Sequence, residues 1–392
     1  MKVIYISTVV SKKKLDYIIN NSKKKPLQSI QKFHRLLCEG LEKNELKVKT
    51  FSSIPMSRQI SSKIIWADKR EIENGVEYTY MPFLNIKVLR QICTLIGITL
   101  KIIKECFSNK KEKIFICDIL NTTIASTTLI LSKIFKFKCI AIVTDLPRDI
   151  GKGISTKINQ KLQSKYDGYI VLTEAMNNIV NPKNKPSIVI EGIADNEMKN
   201  RDNLFQNKYK EKICIYAGGL YEKYGVKNLI EAFRLLKIDN AQLHLYGSGD
   251  LEEYIKKLND CRIKFFGVVE NDQIVENEIK AMLLINPRFS DGEYTKYSFP
   301  SKNMEYMASG TPVLTTKLPG MPKEYYDYIY CFEDESIDGM RKKIKEILSL
   351  EEKDLHKKGE EAKDFVLKNK NNKVQAKKIK KFILELNINE KI

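Results

Sequence analysis

The chain has 392 residues, 43% of them hydrophobic and 30% charged, enough apolar matter for two packed cores and too much for wholesale disorder. Its 68 Lys and Arg against 49 Asp and Glu leave a formal net charge of +19, a positive field that draws nucleic acid, anionic lipid or phosphorylated substrates without choosing among them. No nucleic-acid motif or aromatic–basic platform accompanies that charge, which excludes nucleic acid as a partner, and part of the lysine excess reads equally well as a compositional habit. The eight cysteines are scattered, mostly inside apolar runs such as IFICDIL and KICIYA. None has metal-ligand or paired spacing, so they read as reduced core residues of a cytoplasmic protein.

The opening MKVIYISTVV places its apolar run before the charges of SKKKLDY, which predicts a strand and not a secretion signal. Strands are then predicted at LKVKTF, EYTYMPF, KIFICDI, KCIAIVT and GYIVLT, with helices over 27–43, 88–108, 122–135 and 156–165. Alternation of strand-length and helix-length apolar runs is the pattern of a doubly wound parallel sheet. The helix from Val88 to Phe107 is too short and too charged to span a bilayer. It reads either as a cover on the sheet or as an interfacial segment with lysine near both ends.

A Pro-, Asn- and charge-rich run near residues 195–210 separates the halves. The pattern then restarts, with strands KICIYA, AQLHLYG, IKFFG, AMLLINP and TPVLTT and helices VKNLIEAFRLL, LEEYIKKL, NDQIVENEI and SKNMEYMAS. From Glu351 the chain is Lys-rich and helical. The expected division is 1–200, 201–365 and a 366–392 helix packing back toward the first domain. Two such halves facing across a cleft would bind a ligand beyond the carboxyl ends of their strands.

Three turns could carry chemistry. Gly218-Gly219 follows KICIYA and precedes a helix, so its amides could approach a phosphate, although a plain tight turn has the same sequence. Lys223 in that loop could neutralise a diphosphate or stand in solvent. Gly247-Ser248-Gly249 follows AQLHLY; here Asp250 with Glu253 predicts a reciprocal helix cap, which accounts for the turn without a ligand. The third stretch, NPRFSDGEYTKYSFPSKNMEYMASGTPVLTT, opens a helix at Ser301 and places Lys302 by its free N–H groups. A cation there opposes the macrodipole unless an anion bridges the two. Glu305 on the same helix needs hydrogen-bond donors, as ribose hydroxyls would be, or faces solvent. No histidine reads as a general base: His34, His244 and His356 lie on an amphipathic helix, in a strand and in the charged tail.

From Tyr216 to about Glu335 these segments, in this order, resemble the C-terminal domain of the retaining glycosyltransferases of family four, which have the GT-B fold of two Rossmann-like domains. YAGGLYEKYGVKNLIEAF is similar to the family's first loop and helix, LHLYGSGDLEEYIKKL to its glycine turn, FFGVV to its nucleobase strand-end and SFPSKNMEYMASGTPVL to its donor-binding helix. The resemblance implies transfer of a sugar from a nucleoside diphosphate sugar, a UDP-sugar in particular, to a saccharide or lipid-linked acceptor in surface polysaccharide synthesis. A GT-B epimerase or hydrolase, or a non-catalytic sugar-nucleotide binder, is the alternative.

The resemblance also implies that Glu305 holds the ribose, that Ser301 and Lys302 meet the diphosphate, and that Gly267, Val268 and Val269 border the base. Gly218, Gly219, Gly247 and Gly249 would line the donor, and Lys302, Lys223, Arg288 and Asp145 would act on the reacting groups. The first glutamate of the family's paired motif falls on Tyr297, and Gly219 stands in place of a usual arginine. No metal and no cofactor is implied, because charged side chains and helix dipoles serve the leaving group. The N-terminal lysines of SKKKLDYIINNSKKKPLQS would suit peripheral contact with an anionic membrane, at its inner face.

Overall fold

In the computed structural model, residues 1–22, 28–108, 112–146, 161–162 and 164–388 are described. The chain forms two units, Met1–Ile193 with Asn372–Ile392, and Ala194–Asn371. The helix expected over 156–165, most of the loop after Asp145, and Lys23 to Lys25 of the basic N-terminal stretch lie wholly or largely outside the described residues.

In the first unit the strands are β1 (Lys2–Ser7), β2 (Lys47–Ser52), β3 (Ile65–Trp66), β4 (Glu71–Glu73), β5 (Val76–Tyr80), β6 (Phe83–Leu84), β7 (Lys113–Asp118), β8 (Cys139–Val143), β9 (Gly168–Val171) and β10 (Ser187–Val189). Eight of them form one sheet in the order β10-β9-β8-β7-β1-β2-β5-β4, and β3 pairs with β6. All pairs of the large sheet are parallel except β4 with β5 at the edge. Strands β7 and β8 are buried throughout, and their apolar runs are what a parallel strand covered on both faces requires. The helices α1 (Lys12–Asn20), α2 (Gln28–Lys43), α3 (Lys87–Phe107), α4 (Thr122–Ile134) and α5 (Glu174–Val180) belong to this unit. His34 on α2 is buried with its Nδ1 against the Tyr5 hydroxyl. Burial pushes its pKa below the usual imidazole value, against the opposing pull of Asp118.

The second unit repeats the scheme with β11 (Lys212–Ala217), α6 (Val226–Arg234), β12 (Ala241–Tyr246), α7 (Glu252–Lys256), β13 (Ile263–Gly267), α8 (Asn271–Lys280), β14 (Leu283–Asn286), α9 (Ser301–Ser309), β15 (Val313–Thr316), β16 (Tyr330–Phe332), α10 (Ile337–Leu348) and α11 (Glu352–Asn369). Its sheet is parallel and runs β13-β12-β11-β14-β15-β16. This is the doubly wound order whose direction of winding reverses beside the first strand, here between β11 and β14. The loops after β11 and β14 flank that switch point, where ligands of such sheets bind.

A last helix, α12 (Asn372–Ile388), returns to the first unit. Ala376, Ile379, Phe382 and Ile383 join the core of that unit beside Leu37, Leu41 and Ile116. Its apolar face, not its lysines, therefore fixes its place. The cysteines are all free, and five are buried, but Cys261 is exposed. That corrects the expectation of a core position for it: Asp260 and Cys261 sit in the turn before β13, which the sheet does not cover.

Candidate active site

The switch point of the second sheet gathers most of the residues singled out from sequence. The loop after β11 is pinned at three points: Gly218 N–H donates to the Tyr246 carbonyl at 2.8 Å, Tyr306 hydroxyl accepts from Ala217 N–H at 2.8 Å, and Tyr216 hydroxyl donates to the Gly219 carbonyl at 2.7 Å. The next turn is tied on the other side, with Gly247 N–H donating to the Gly267 carbonyl at 2.7 Å and Leu220 N–H to the Ser248 carbonyl at 2.9 Å. The ends of β11, β12 and β13 thus form one hydrogen-bonded rim that carries Gly218, Gly219, Gly247, Gly249 and Gly267. Val268, which is exposed, and the half-buried Val269 follow at the outer end.

An added Cβ would meet backbone at Gly247 and Gly249, and the movable end of a side chain at Gly218. A Cβ on Gly218 would fall 1.8 Å from Lys302 Nζ and 1.9 Å from its Cε, so the lysine lies directly on the backbone of the loop. A Cβ on Gly247 would fall 1.8 Å from the Gly218 carbonyl oxygen, at a φ of +126° that side chains rarely adopt. Both glycines serve close packing of the rim, and the first also lets a cation reach it.

Lys302 stands in the first turn of α9, where the sequence expected it. Its ammonium lies 5.4 Å from the centre of the Tyr216 ring. Burial pushes its pKa down to about 8, helped by Arg288 and opposed by Glu305. A lysine in this condition gains much from an incoming anion, because an opposite charge restores the protonated form that burial disfavours. Ser301 beside it is exposed and Glu305 is half-buried. Helix α9 is anchored by Asn303, whose amide oxygen accepts from Asn286 at 2.8 Å and whose amide nitrogen donates to Thr315 at 3.2 Å. That bridge links the ends of β14 and β15 to the helix and fixes where its N-terminus points.

Arg288 leaves β14 between two rings, with its guanidinium carbon 4.6 Å from the centre of Tyr294 and 5.6 Å from that of Tyr224. Lys223 is exposed, its ammonium 5.2 Å from the Tyr224 ring. Tyr297 follows the short turn of Glu293–Lys296, and its hydroxyl lies 3.4 Å from a Glu293 carboxylate oxygen. Asp145 belongs to the first unit, half-buried just past β8. The second unit therefore brings together Lys302, Arg288, Glu305 and the glycine rim, and Asp145 is not among them.

One expectation is corrected. Asp250 and Glu253 form no reciprocal cap: helix α7 starts at Glu252, whose carboxylate accepts from Gly249 N–H at 2.9 Å. The cause is the bond from Leu251 N–H to the Leu220 carbonyl at 3.1 Å, which holds 249–251 against the first loop and moves the helix start along the chain. Glu252 occupies the place of the third glycine in a dinucleotide fingerprint, and it binds the turn itself. Tyr216, Tyr306 and Asn303 were not singled out from sequence. Buried hydroxyls and amides need partners, but sequence does not say where those partners are.

Among the described residues no group of three or more His, Cys, Asp or Glu is placed to hold a metal ion. No helix among them is long and apolar enough to cross a membrane.

Residues 196–365, all within the second unit, match the family described as glycosyl transferases group 1. An uncharacterized glycosyltransferase of Methanocaldococcus jannaschii is 29% identical over 119 residues, and the match spans 28% of this chain and 28% of that protein. Sucrose-phosphate synthase from Thermosynechococcus elongatus superimposes with a TM-score of 0.70 at 15% identity, covering 98% of this chain and 99% of the other. Anabaena HepE in complex with UDP and glucose gives a TM-score of 0.63 at 12% identity, covering 98% and 100%. At such identities the likeness is one of fold, and it holds for both units. The chain has the GT-B fold, and its second unit is related to the group 1 glycosyl transferases.

Proposed function

We propose that this enzyme transfers a sugar from a UDP-sugar, with retention of configuration, to a saccharide or lipid-linked saccharide in surface polysaccharide synthesis. The reading places it in the cytoplasm, in peripheral contact with the inner face of the membrane. The observation that carries the donor reading is the Lys302 ammonium, laid across Gly218 at the switch point with its pKa pushed down to about 8. A diphosphate set between that ammonium and the first turn of α9 would meet a side-chain cation and free N–H groups together. The complex of the similar HepE fold with UDP and glucose supports the choice of nucleotide.

In this reading Glu305 accepts from the ribose hydroxyls, Gly267 to Val269 border the uracil, and Ser301 lends its backbone to the phosphates. Arg288 and Lys223 supply further positive charge to the leaving UDP, where fixed charges act more strongly than water would. Tyr297 takes the place of a carboxylate beside the sugar. Incubation with labelled UDP-glucose, UDP-galactose and UDP-N-acetylglucosamine, with and without a lipid-linked saccharide acceptor, tests the activity. Acceptor-dependent label transfer with release of UDP is the expected result. Consumption of the donor with no acceptor present would make the enzyme an epimerase or hydrolase instead.

A further inference from the structure

Helix α3 has two apolar faces where a helix lying on a sheet needs one. Ile98 and Ile102 are buried toward the unit's interior together with Thr94 and Glu105. On the other side Val88, Ile92, Leu95, Ile96, Leu100 and Phe107 are exposed, from 45% for Ile92 and Leu95 to 81% for Phe107. At 3.6 residues per turn these six side chains fall within one arc of the helix, and at 1.5 Å per residue they extend along about 28 Å of it. Single exposed aliphatic residues are ordinary on a protein surface, but a continuous row of this length marks a binding face.

The row continues onto α4. Phe107 meets Phe135 edge to face at 5.9 Å, and beyond it Ile130 and Ile134 are 55% and 64% exposed. Beside them opens a cleft of about 520 Å³ whose lining includes Leu129, Ile130 and Ile134, with Lys133, Lys165, Lys183 and Lys185 around it.

Charge decides what covers this face. Helix α3 carries Lys87, Arg90, Lys101 and Lys104, and its one acid, Glu105, is buried among Lys2, Lys49 and Lys113. Helix α4 has no acidic residue at all. A protein interface of this size would carry a rim of both signs. The exposed charges of the two helices are cations, and Asp167 is paired with Lys133 at 2.5 Å, so the apolar row ending in Phe107 matches the boundary between acyl chains and anionic headgroups.

We infer that the outward face of α3, continued by the end of α4, is a docking surface for an anionic bilayer, with α3 lying in the plane of the headgroups. It deepens the membrane clause of the proposed function, and its chemistry is independent of the donor site. The lysines of the N-terminal stretch are not needed for it.

The test is flotation of the full chain with vesicles of phosphatidylglycerol and phosphatidylcholine, and with phosphatidylcholine alone. The parent should float with the anionic vesicles and be released as salt rises. The Ile92→Ser, Ile96→Ser, Leu100→Ser triple variant, altered only at exposed positions, should lose roughly tenfold or more in vesicle affinity, and Lys101→Glu with Lys104→Glu should also weaken it. Indifference of the parent to anionic vesicles would overturn the inference, as would equal binding by the triple variant. So would a lipid-free dimer of the parent that the triple variant abolishes, since the face would then belong to a second copy. Stabilisation by UDP, read on the same samples, reports on the donor site separately, so either reading can fail alone.

Discussion

Raising the pH should weaken UDP binding through Lys302. In the free protein burial holds its pKa at about 8, so the ammonium is about nine-tenths formed at about pH 7 and about one-tenth formed at about pH 9. A diphosphate prefers the charged form and must raise that pKa on binding. The sign follows from linkage: the affinity is complete below the free-state pKa and falls as pH rises through it, until the higher pKa of the complex is reached. Between about pH 7 and about pH 9 the loss should be roughly tenfold, or about 1.4 kcal/mol. Calorimetric titration with UDP at both pH values, in buffers of different ionisation heat, would measure the affinity and the proton taken up. Lys302→Ala is the control: it binds more weakly at about pH 7, it should lose the dependence, and it retains any titration of the uracil ring. An affinity equal at both pH values, or a fall of the same size in Lys302→Ala, would refute the reasoning.

Glu305→Gln should weaken donor binding by roughly ten- to over a hundredfold, the value of about 1.5–3 kcal/mol for a charged hydrogen bond, with most of the loss in KM because the ribose lies away from the reacting bond. Equal affinity of parent and variant in an equilibrium titration would return Glu305 to a solvated helix position. Two glycine substitutions should separate binding from folding. Gly218→Ala meets the movable end of Lys302, so UDP affinity should drop while the melting temperature changes little. Gly247→Ala meets the backbone of Gly218 at a left-handed φ and should cost on the order of 1–3 kcal/mol of stability, read as a lowered urea midpoint.

Much of the second unit was legible because its elements obey simple periods. KICIYA and SKNMEYMAS coincide with β11 and α9: a strand covered on both faces reads as a continuous apolar run, and a short helix ends cleanly at a left-handed Gly310. Strands of three residues gave no such signal, polar in β4 and too short in β16 to show a period, so neither was foreseen. Helix α10 was missed although Ser336 caps it through Gly339 N–H. The tail was read from Glu351 as one helical stretch, whereas it breaks between α11 and α12 at Lys370 and Asn371, where Ala194 N–H donates to the Lys370 carbonyl. That pairing joins residues distant in sequence, which local periodicity does not register.

The site divides in the same way. Glycine turns after strands and a lysine at a helix opening are local features, and they were readable. The bonds that position them are not local: Tyr306 reaches back to Ala217, Asn303 joins Asn286 to Thr315, and Leu251 binds Leu220. The last of these displaced the cap expected from Asp250 and Glu253. The exposed row on α3 was visible as a long apolar segment, but only burial shows that one of its apolar faces stays uncovered.

Binding of a sugar nucleotide between the loops after β11 and β14 can be read from thermal unfolding of the full chain with UDP-, GDP- and ADP-sugars. At about 100 times its dissociation constant a ligand stabilises the native state by ~2.7 kcal/mol. A UDP-sugar should raise the melting temperature of the parent, and do so less in Glu305→Gln and Lys302→Ala at equal concentration. No shift with any of the three nucleotides, or an equal shift in parent and both variants, would contradict the account.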